Sequence, residues 1–285
     1  MTIPNKVGDI GEYDAYIHAM IVAAPGFGKT VFAGTAENAL FLTTDPEGTI
    51  SAKAFGSTAK EWRIETWDEL DEALRYLRDG GIKEMRLKWV IIDNISEAQN
   101  LAMLDSMTKA RARNKARDEF VPGMDDHQRS QLMIKAKVKQ FHDLPVNILW
   151  TSWRKSEEDG EGETFFTCGI HGQQGLLAQT IQGYMNVVGF GEVEENDEGK
   201  EVRRIYFAQS KPYMGKDRYV ALGKVRTDLT MPKMESLING AKRKYDAIAA
   251  SKPSTAASTR TGAKRTSTTP RTGGRRVATT KKKVA

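Results

Sequence analysis

Short apolar runs alternate along the chain with stretches of helical spacing. Tyr16-Ile17-His18-Ala19-Met20-Ile21-Val22, Ala39-Leu40-Phe41-Leu42-Thr43-Thr44 and Trp89-Val90-Ile91-Ile92-Asp93-Asn94 read as buried strands. Val146-Asn147-Ile148-Leu149-Trp150 is a fourth, expected to end at the polar pair Thr151 and Ser152. Val31 to Asn38 looks helical, and Trp67, Leu70, Ala73, Leu74 and Leu77 recur at helical spacing until Asp79-Gly80-Gly81 breaks the pattern. This alternation predicts an α/β fold, a mainly parallel sheet flanked by helices.

After Ser152 the period changes to two. Trp153 to Ser156 and Thr164 to Cys168 flank an acidic, Gly-containing turn, and Met185 to Glu194 and Val202 to Gln209 flank Asn196-Asp197-Glu198-Gly199-Lys200. These predict two antiparallel hairpins that extend the sheet. Tyr219-Val220-Ala221-Leu222 is a further strand-like segment, and Pro232 to Ala249 a closing helix.

The first strand runs into Ala23-Ala24-Pro25-Gly26-Phe27-Gly28-Lys29-Thr30, a phosphate-binding P-loop whose first glycine is replaced by Ala23. The replacement adds one methyl group and suits a negative φ. Small residues let backbone N–H groups curl around phosphate oxygens, Lys29 reaches the β- and γ-phosphates, and Thr30 offers a hydroxyl to Mg²⁺. Asp93, ending an apolar strand about sixty residues on, reads as the second metal-binding group, a Walker B acid. An acid there is also a common helix cap or turn residue. Thr151 and Ser152 end the fourth run where a γ-phosphate sensor would sit, and Ser152 is taken as nucleotide-binding; simple strand termination is the other reading. Asp45-Pro46-Glu47-Gly48 brings acids out at the carboxyl end of a strand, the edge where α/β sheets bind ligands.

Charge divides the chain more sharply than pattern does. From Ser251 onward there are ten Lys or Arg and no Asp or Glu, so of 43 cations and 37 acids in all, residues 1–250 keep 33 cations and 37 acids. The overall +6 belongs to one segment. Residues 251–285 hold too little apolar surface to offset the entropy of ordering, which predicts a disordered basic tail behind a single ATPase-sized domain at 1–250. No run is long enough to span a membrane and the amino terminus lacks a signal-peptide core, which predicts a soluble, cytoplasmic protein. Cys168 is alone, so it can form no internal disulfide, and it reads as a small buried hydrophobe.

The P-loop, the strand end Thr44-Asp45-Pro46-Glu47, the strand closing on Asp93, and Lys216-Asp217-Arg218 after the hairpins together resemble the RecA superfamily of recombination ATPases. The likeness is to its compact phage branch, single-strand-annealing or nucleotide-binding proteins. It implies a RecA-like P-loop core that takes ATP and Mg²⁺, with Glu47 polarising the attacking water. Lys216 and Arg218 would be the Lys-x-Arg pair that reaches a neighbouring subunit's nucleotide, though charged residues in a turn are often merely solvated. It further implies a homo-oligomer, filament or ring, acting on single-stranded DNA in recombination or repair, alongside a single-strand-binding protein. For a phage protein, cytoplasmic means the host's cytoplasm.

DNA contacts are written less sharply. Lys109, Arg111, Arg113, Lys115 and Arg117 alternate, which spreads them around a helix and suits a loop, followed by the poor helix former Asp118 to Asp126. Trp153-Arg154-Lys155 sets an aromatic beside two cations, suited to stacking a base and holding phosphate, or else a solvated helix face with a buried Trp. In the tail, Arg275, Arg276, Lys281, Lys282 and Lys283 are one-signed and suit DNA, RNA or an acidic protein. The sequence thus predicts a DNA-dependent ATPase that promotes annealing or strand exchange. The alternatives are a ring-shaped helicase or packaging motor, a nucleotide-gated DNA-binding adaptor with little turnover, and a small-molecule kinase, for which no Arg-rich lid is evident.

Overall fold

A computed structural model of the chain describes residues 16–45, 47–172 and 175–251. The tail lies outside the described residues. In chain order, β1 (His18–Ala23) feeds the P-loop into α1 (Lys29–Gly34), followed by β2 (Ala39–Thr43), α2 (Thr49–Ala54) and β3 (Lys60–Arg63). Then come α3 (Trp67–Tyr76), a wide turn at Leu77–Gly81, α4 (Ile82–Glu84), β4 (Trp89–Asp93), α5 (Ile95–Arg113) and α6 (Met124–His142). The rest is β5 (Asn147–Glu158), β6 (Thr164–Cys168), α7 (Leu176–Tyr184), β7 (Val187–Glu195), β8 (Glu201–Tyr206), the short β9 (Gln209–Ser210), β10 (Tyr213–Met214) and β11 (Lys216–Asp217), β12 (Val225–Thr227), and α8 (Met231–Ser251).

Strands order as β12-β8-β7-β1-β5-β4-β2-β3. Every pair from β7 to β3 is parallel, and β8 and β12 continue the sheet antiparallel. The fold is therefore α/β with a mostly parallel sheet extended by antiparallel strands, as the pattern predicts. Both faces are covered, which explains strands without polar alternation. On one face Met20, Leu42, Val90, Ile92, Ile148 and Trp150 pack under α3, α5, α6 and α7. On the other Ala19, Ile21, Phe41, Ile91 and Leu149 pack under α1 and α8, through Phe32, Met231, Met234 and Ile238.

Several expected boundaries move. The fourth run does not end at Thr151: β5 continues through Thr151 and Ser152 to Glu158 as one strand. Its first half is flanked by β1 and β4, and its second half turns out of the parallel sheet to pair with β6, Arg154 against Cys168. Trp153 to Ser156 is thus the upper half of a core strand. The alternating cations are not all in a loop, because the Asn94 side chain accepts from the Glu97 N–H at 2.9 Å and starts a helix that reaches Arg113. Helix also begins inside the second poor helix former, at Met124, where the Asp126 carboxylate accepts the Gly123 N–H at 2.9 Å. Tyr219 to Leu222 is a turn. The Asp217 carboxylate accepts the N–H groups of Tyr219, Ala221 and Leu222 and wraps the chain around itself. The helix expected over Val31 to Asn38 instead spans Lys29–Gly34.

Candidate functional site

β1 is a central strand, and the loop leaving it is built from both flanks. Gly26 and Gly28 have φ of 84° and 95°, the left-handed region that favours glycine. Ala23 is the last residue of β1, paired with Trp153 and Gly191 and fully buried, so the absent glycine is replaced at a position with extended backbone. Phe27 is buried as well. Its ring lies against Gly191 of β7, where an added Cβ would sit 2.5 Å from the ring.

Lys29 Nζ donates to the carbonyls of Ala23 at 3.0 Å and Ala24 at 3.1 Å, which folds the side chain across the loop. Burial lowers its pKa, and the nearby Asp93 charge works against that shift. Asp93 ends β4, and β5 lies between it and β1. Its carboxylate accepts from Thr30 Oγ1 at 2.7 Å and, on the other oxygen, from Thr151 Oγ1. The three come from the loop's helix and two neighbouring strands, and they form one cluster behind Lys29. Hard oxygen donors of this kind fit Mg²⁺.

Strand parity separates the two polar residues of β5. Thr151 shares its face with Leu149 and points to the α1 side, while Ser152 shares the opposite face with Trp150. Ser152 Oγ donates to the Trp153 carbonyl at 2.9 Å and accepts the Gly169 N–H at 3.0 Å. The structure therefore brings Thr151, and not Ser152, to the cluster.

The turn after β2 is tied to the same strand end. Thr44 donates its N–H to the Asp93 carbonyl at 2.9 Å, and Thr44 Oγ1 accepts the Asn94 N–H at 3.1 Å. Asp45 Oδ1 accepts the Glu47 N–H at 3.2 Å, and Glu47 stands exposed beyond it. Beside the loop opens a cleft of about 550 Å³, walled by Gly26 to Phe32 and by Phe55, Arg203, Ile205, Asp228, Leu229 and Thr230. Arg203 Nε donates to the Phe27 carbonyl at 2.9 Å.

Lys216 and Arg218 lie elsewhere. β11 pairs with the first residues of β7, Lys216 against Val188, at the level of Met20 in β1. The loop begins three residues further up, about 10 Å along the strand. Lys216 Nζ donates to the Gly183 carbonyl at 2.9 Å and Arg218 to the same carbonyl at 3.0 Å, at the carboxyl end of α7. Burial and the neighbouring Arg218 lower the Lys216 pKa to about 8. Among the proposed DNA contacts, Arg111 pairs with Glu119, Arg154 with Glu192 and Lys155 with Glu157, whereas Arg113 Nε donates to the Lys109 carbonyl and Lys115 lies in the turn beyond α5. The tail cations lie outside the described residues.

A profile of the AAA domain matches residues 15–219, from the loop strand through Lys216 and Arg218. The chain belongs to this AAA-domain family. The AAA domain here is thus a P-loop ATPase core, with the phosphate loop, Asp93 and Thr151 all inside the matched span. No curated protein matches the chain by sequence. In structure it aligns with a KaiC-like protein of the hyperthermophilic archaeon Pyrococcus horikoshii, at a TM-score of 0.37 and 14% identity, over 67% of this chain and 77% of that one. No helix of the described residues in this AAA domain is long and apolar enough to cross a membrane.

The pattern points to the loop, Asp93 and the acidic turn directly. It cannot choose between Thr151 and Ser152, since strand parity needs a fixed neighbour. Arg203 carries no signal in the sequence, because only the pairing of β8 beside β7 brings it to Phe27.

Proposed function

We propose that this chain is a DNA-dependent ATPase of the RecA-like kind that oligomerises on single-stranded DNA and promotes annealing or strand exchange. The observation that supports it most is the Thr30, Asp93 and Thr151 cluster directly behind Lys29, an arrangement suited to holding a nucleoside triphosphate with its metal. Thr30 and Asp93 would hold Mg²⁺, which screens phosphate charge when bound. Lys29 would leave the Ala23 and Ala24 carbonyls for the phosphates. Thr151 fixes the Asp93 carboxylate by donating its hydroxyl to it. Glu47, on a turn anchored to the Asp93 carbonyl through Thr44, would orient the attacking water.

Lys216 and Arg218 sit at the opposite rim of the sheet from the loop, so a part in the chemistry requires a neighbouring subunit's nucleotide. The basic tail, ten cations without an acid, supports DNA as the partner. A second reading is a nucleotide-gated DNA-binding adaptor with little turnover; it is favoured by the exposure of Glu47, the residue that would orient the water. Steady-state ATP turnover of the full chain, with and without single-stranded DNA, separates the two. A DNA-dependent ATPase speeds up on DNA. Turnover that stays near zero with bound ATP and bound DNA selects the adaptor.

A further inference from the structure

We propose that Arg203 is a phosphate-binding residue acting in cis, a second cation that the subunit supplies to its own nucleotide. The proposal rests on the ATP-site reading of the P-loop and adds to it a residue from the antiparallel extension of the sheet.

Arg203 lies in β8 with Ile205 two residues on, so both face the cleft beside the loop. Its Nε–H is fixed on the Phe27 carbonyl at 2.9 Å, and the same nitrogen lies 3.6 Å from where a Cβ on Gly28 would stand. That bond uses one of five guanidinium donors and leaves four on the two Nη nitrogens. Its neighbour on the hairpin, Arg204, pairs with Glu194 at 2.7 Å, and Arg154 of β5 pairs with Glu192 of β7. Among the described residues no carboxylate lies within ion-pair distance of Arg203. Asp228 is the acid that shares the cleft wall with it.

An arginine without an acid, tied to the P-loop at the Phe27 carbonyl and beside Gly28, has no charge partner until an anion arrives. A phosphate chain in the loop meets that need, because the guanidinium fork takes two phosphate oxygens at once. The bond to Phe27 pre-positions the fork, so little side-chain freedom remains to be lost on binding.

The test measures ATP affinity of the full chain by calorimetry for the parent, Lys29→Ala, Arg203→Gln and Arg203→Lys, with inorganic tripolyphosphate as a probe that has no base to hold. Arg203→Gln keeps a donor for the Phe27 carbonyl and removes the charge. It should weaken ATP and tripolyphosphate by about 10- to 100-fold, the range of one charged hydrogen bond. Arg203→Lys should recover part of the loss, and thermal midpoints should stay near the parent. ATP affinity within twofold of the parent in Arg203→Gln, while Lys29→Ala has lost binding, overturns the role of Arg203 and leaves the ATP site standing. Arg203→Gln binding as weakly as Arg203→Lys, with both melting well below the parent, also overturns it, since support of Phe27 would then be the whole effect. A parent chain that binds no ATP overturns the reading beneath both.

Discussion

Lys29 keeps its charge where burial disfavours it. Two loop carbonyls and the Asp93 carboxylate compensate, and phosphate oxygens are the natural replacement for those carbonyls. Lys29→Ala should therefore lose ATP affinity about tenfold or more. On the proposed function, Glu47→Gln should keep ATP affinity and lose turnover by about 10²-fold or more, since it would remove only the carboxylate that orients water. Binding and single-turnover assays on the same preparations separate the two defects, and parental turnover in Glu47→Gln would move the role to another acid, with Asp45 the first to try. At this scale the sequence was readable wherever chemistry demands a residue type, as at Lys29, Thr30 and Asp93. It was not readable where orientation decides. Ser152 and Thr151 are equally polar, and only the pleat turns one toward Asp93 and the other toward Gly169.

Among the elements, the core strands β1, β2, β4 and β5 announced themselves and two long helices did not. After Ile95, the buried face of α5 is Ser96, Ala98, Gln99, Ala102, Ser106 and Ala110, small or polar residues that leave no apolar stripe to detect. The strands carry Val, Ile, Leu and Trp instead, because both of their faces are covered. Gly191 in β7 packs its backbone against the Phe27 ring of the P-loop, so Gly191→Val should push the Phe27 ring and the loop together. Overpacking of this kind costs about 1–3 kcal/mol, and ATP affinity should fall along with the melting midpoint.

A second element-scale prediction concerns acid. His142, the last residue of α6, stacks on His18 at the start of β1 with ring centroids 4.0 Å apart, and burial, with His18 adding to it, lowers its pKa from 6.5 to about 3. The folded state thus holds His142 neutral while the unfolded chain protonates it. Its contribution is fully present above pH 6.5 and drains as pH falls toward 3, by up to about 1.4 kcal/mol per unit. His142→Phe keeps a ring in the stack and removes the titration. Thermal melts of this variant should decline less steeply below pH 6.5 than the parent's, and equal slopes would place the acid sensitivity elsewhere.

For the whole molecule, the decisive fact is that the loop and the Lys216/Arg218 pair occupy opposite rims of one sheet. On the proposed function, Arg218→Ala should bind ATP nearly as well as the parent and hydrolyse it slowly. Adding Lys29→Ala subunits, with empty sites and intact arginines, should restore activity to the mixture. No rescue in confirmed mixed assemblies would leave the pair as the cap of α7 that the Gly183 carbonyl already makes it. Deleting residues 251–285 should flatten the salt dependence of DNA binding. With about half of its ten cations engaged, the slope of log K against log salt changes by roughly 3.5.

On the proposed function, that separation of rims also sets the arithmetic of an assembly. Subunits joined loop to arginine meet head to tail, and such a chain either closes on itself or ends in two unlike faces. In a closed ring every nucleotide faces a neighbour's cation. In an open filament one terminal subunit offers its arginine to nothing and the other holds a nucleotide that no arginine reaches. Turnover per subunit would then climb with filament length toward the ring's value, with short oligomers the slowest, and the terminal triphosphate would survive longest as a cap that marks one end of the polymer from the other.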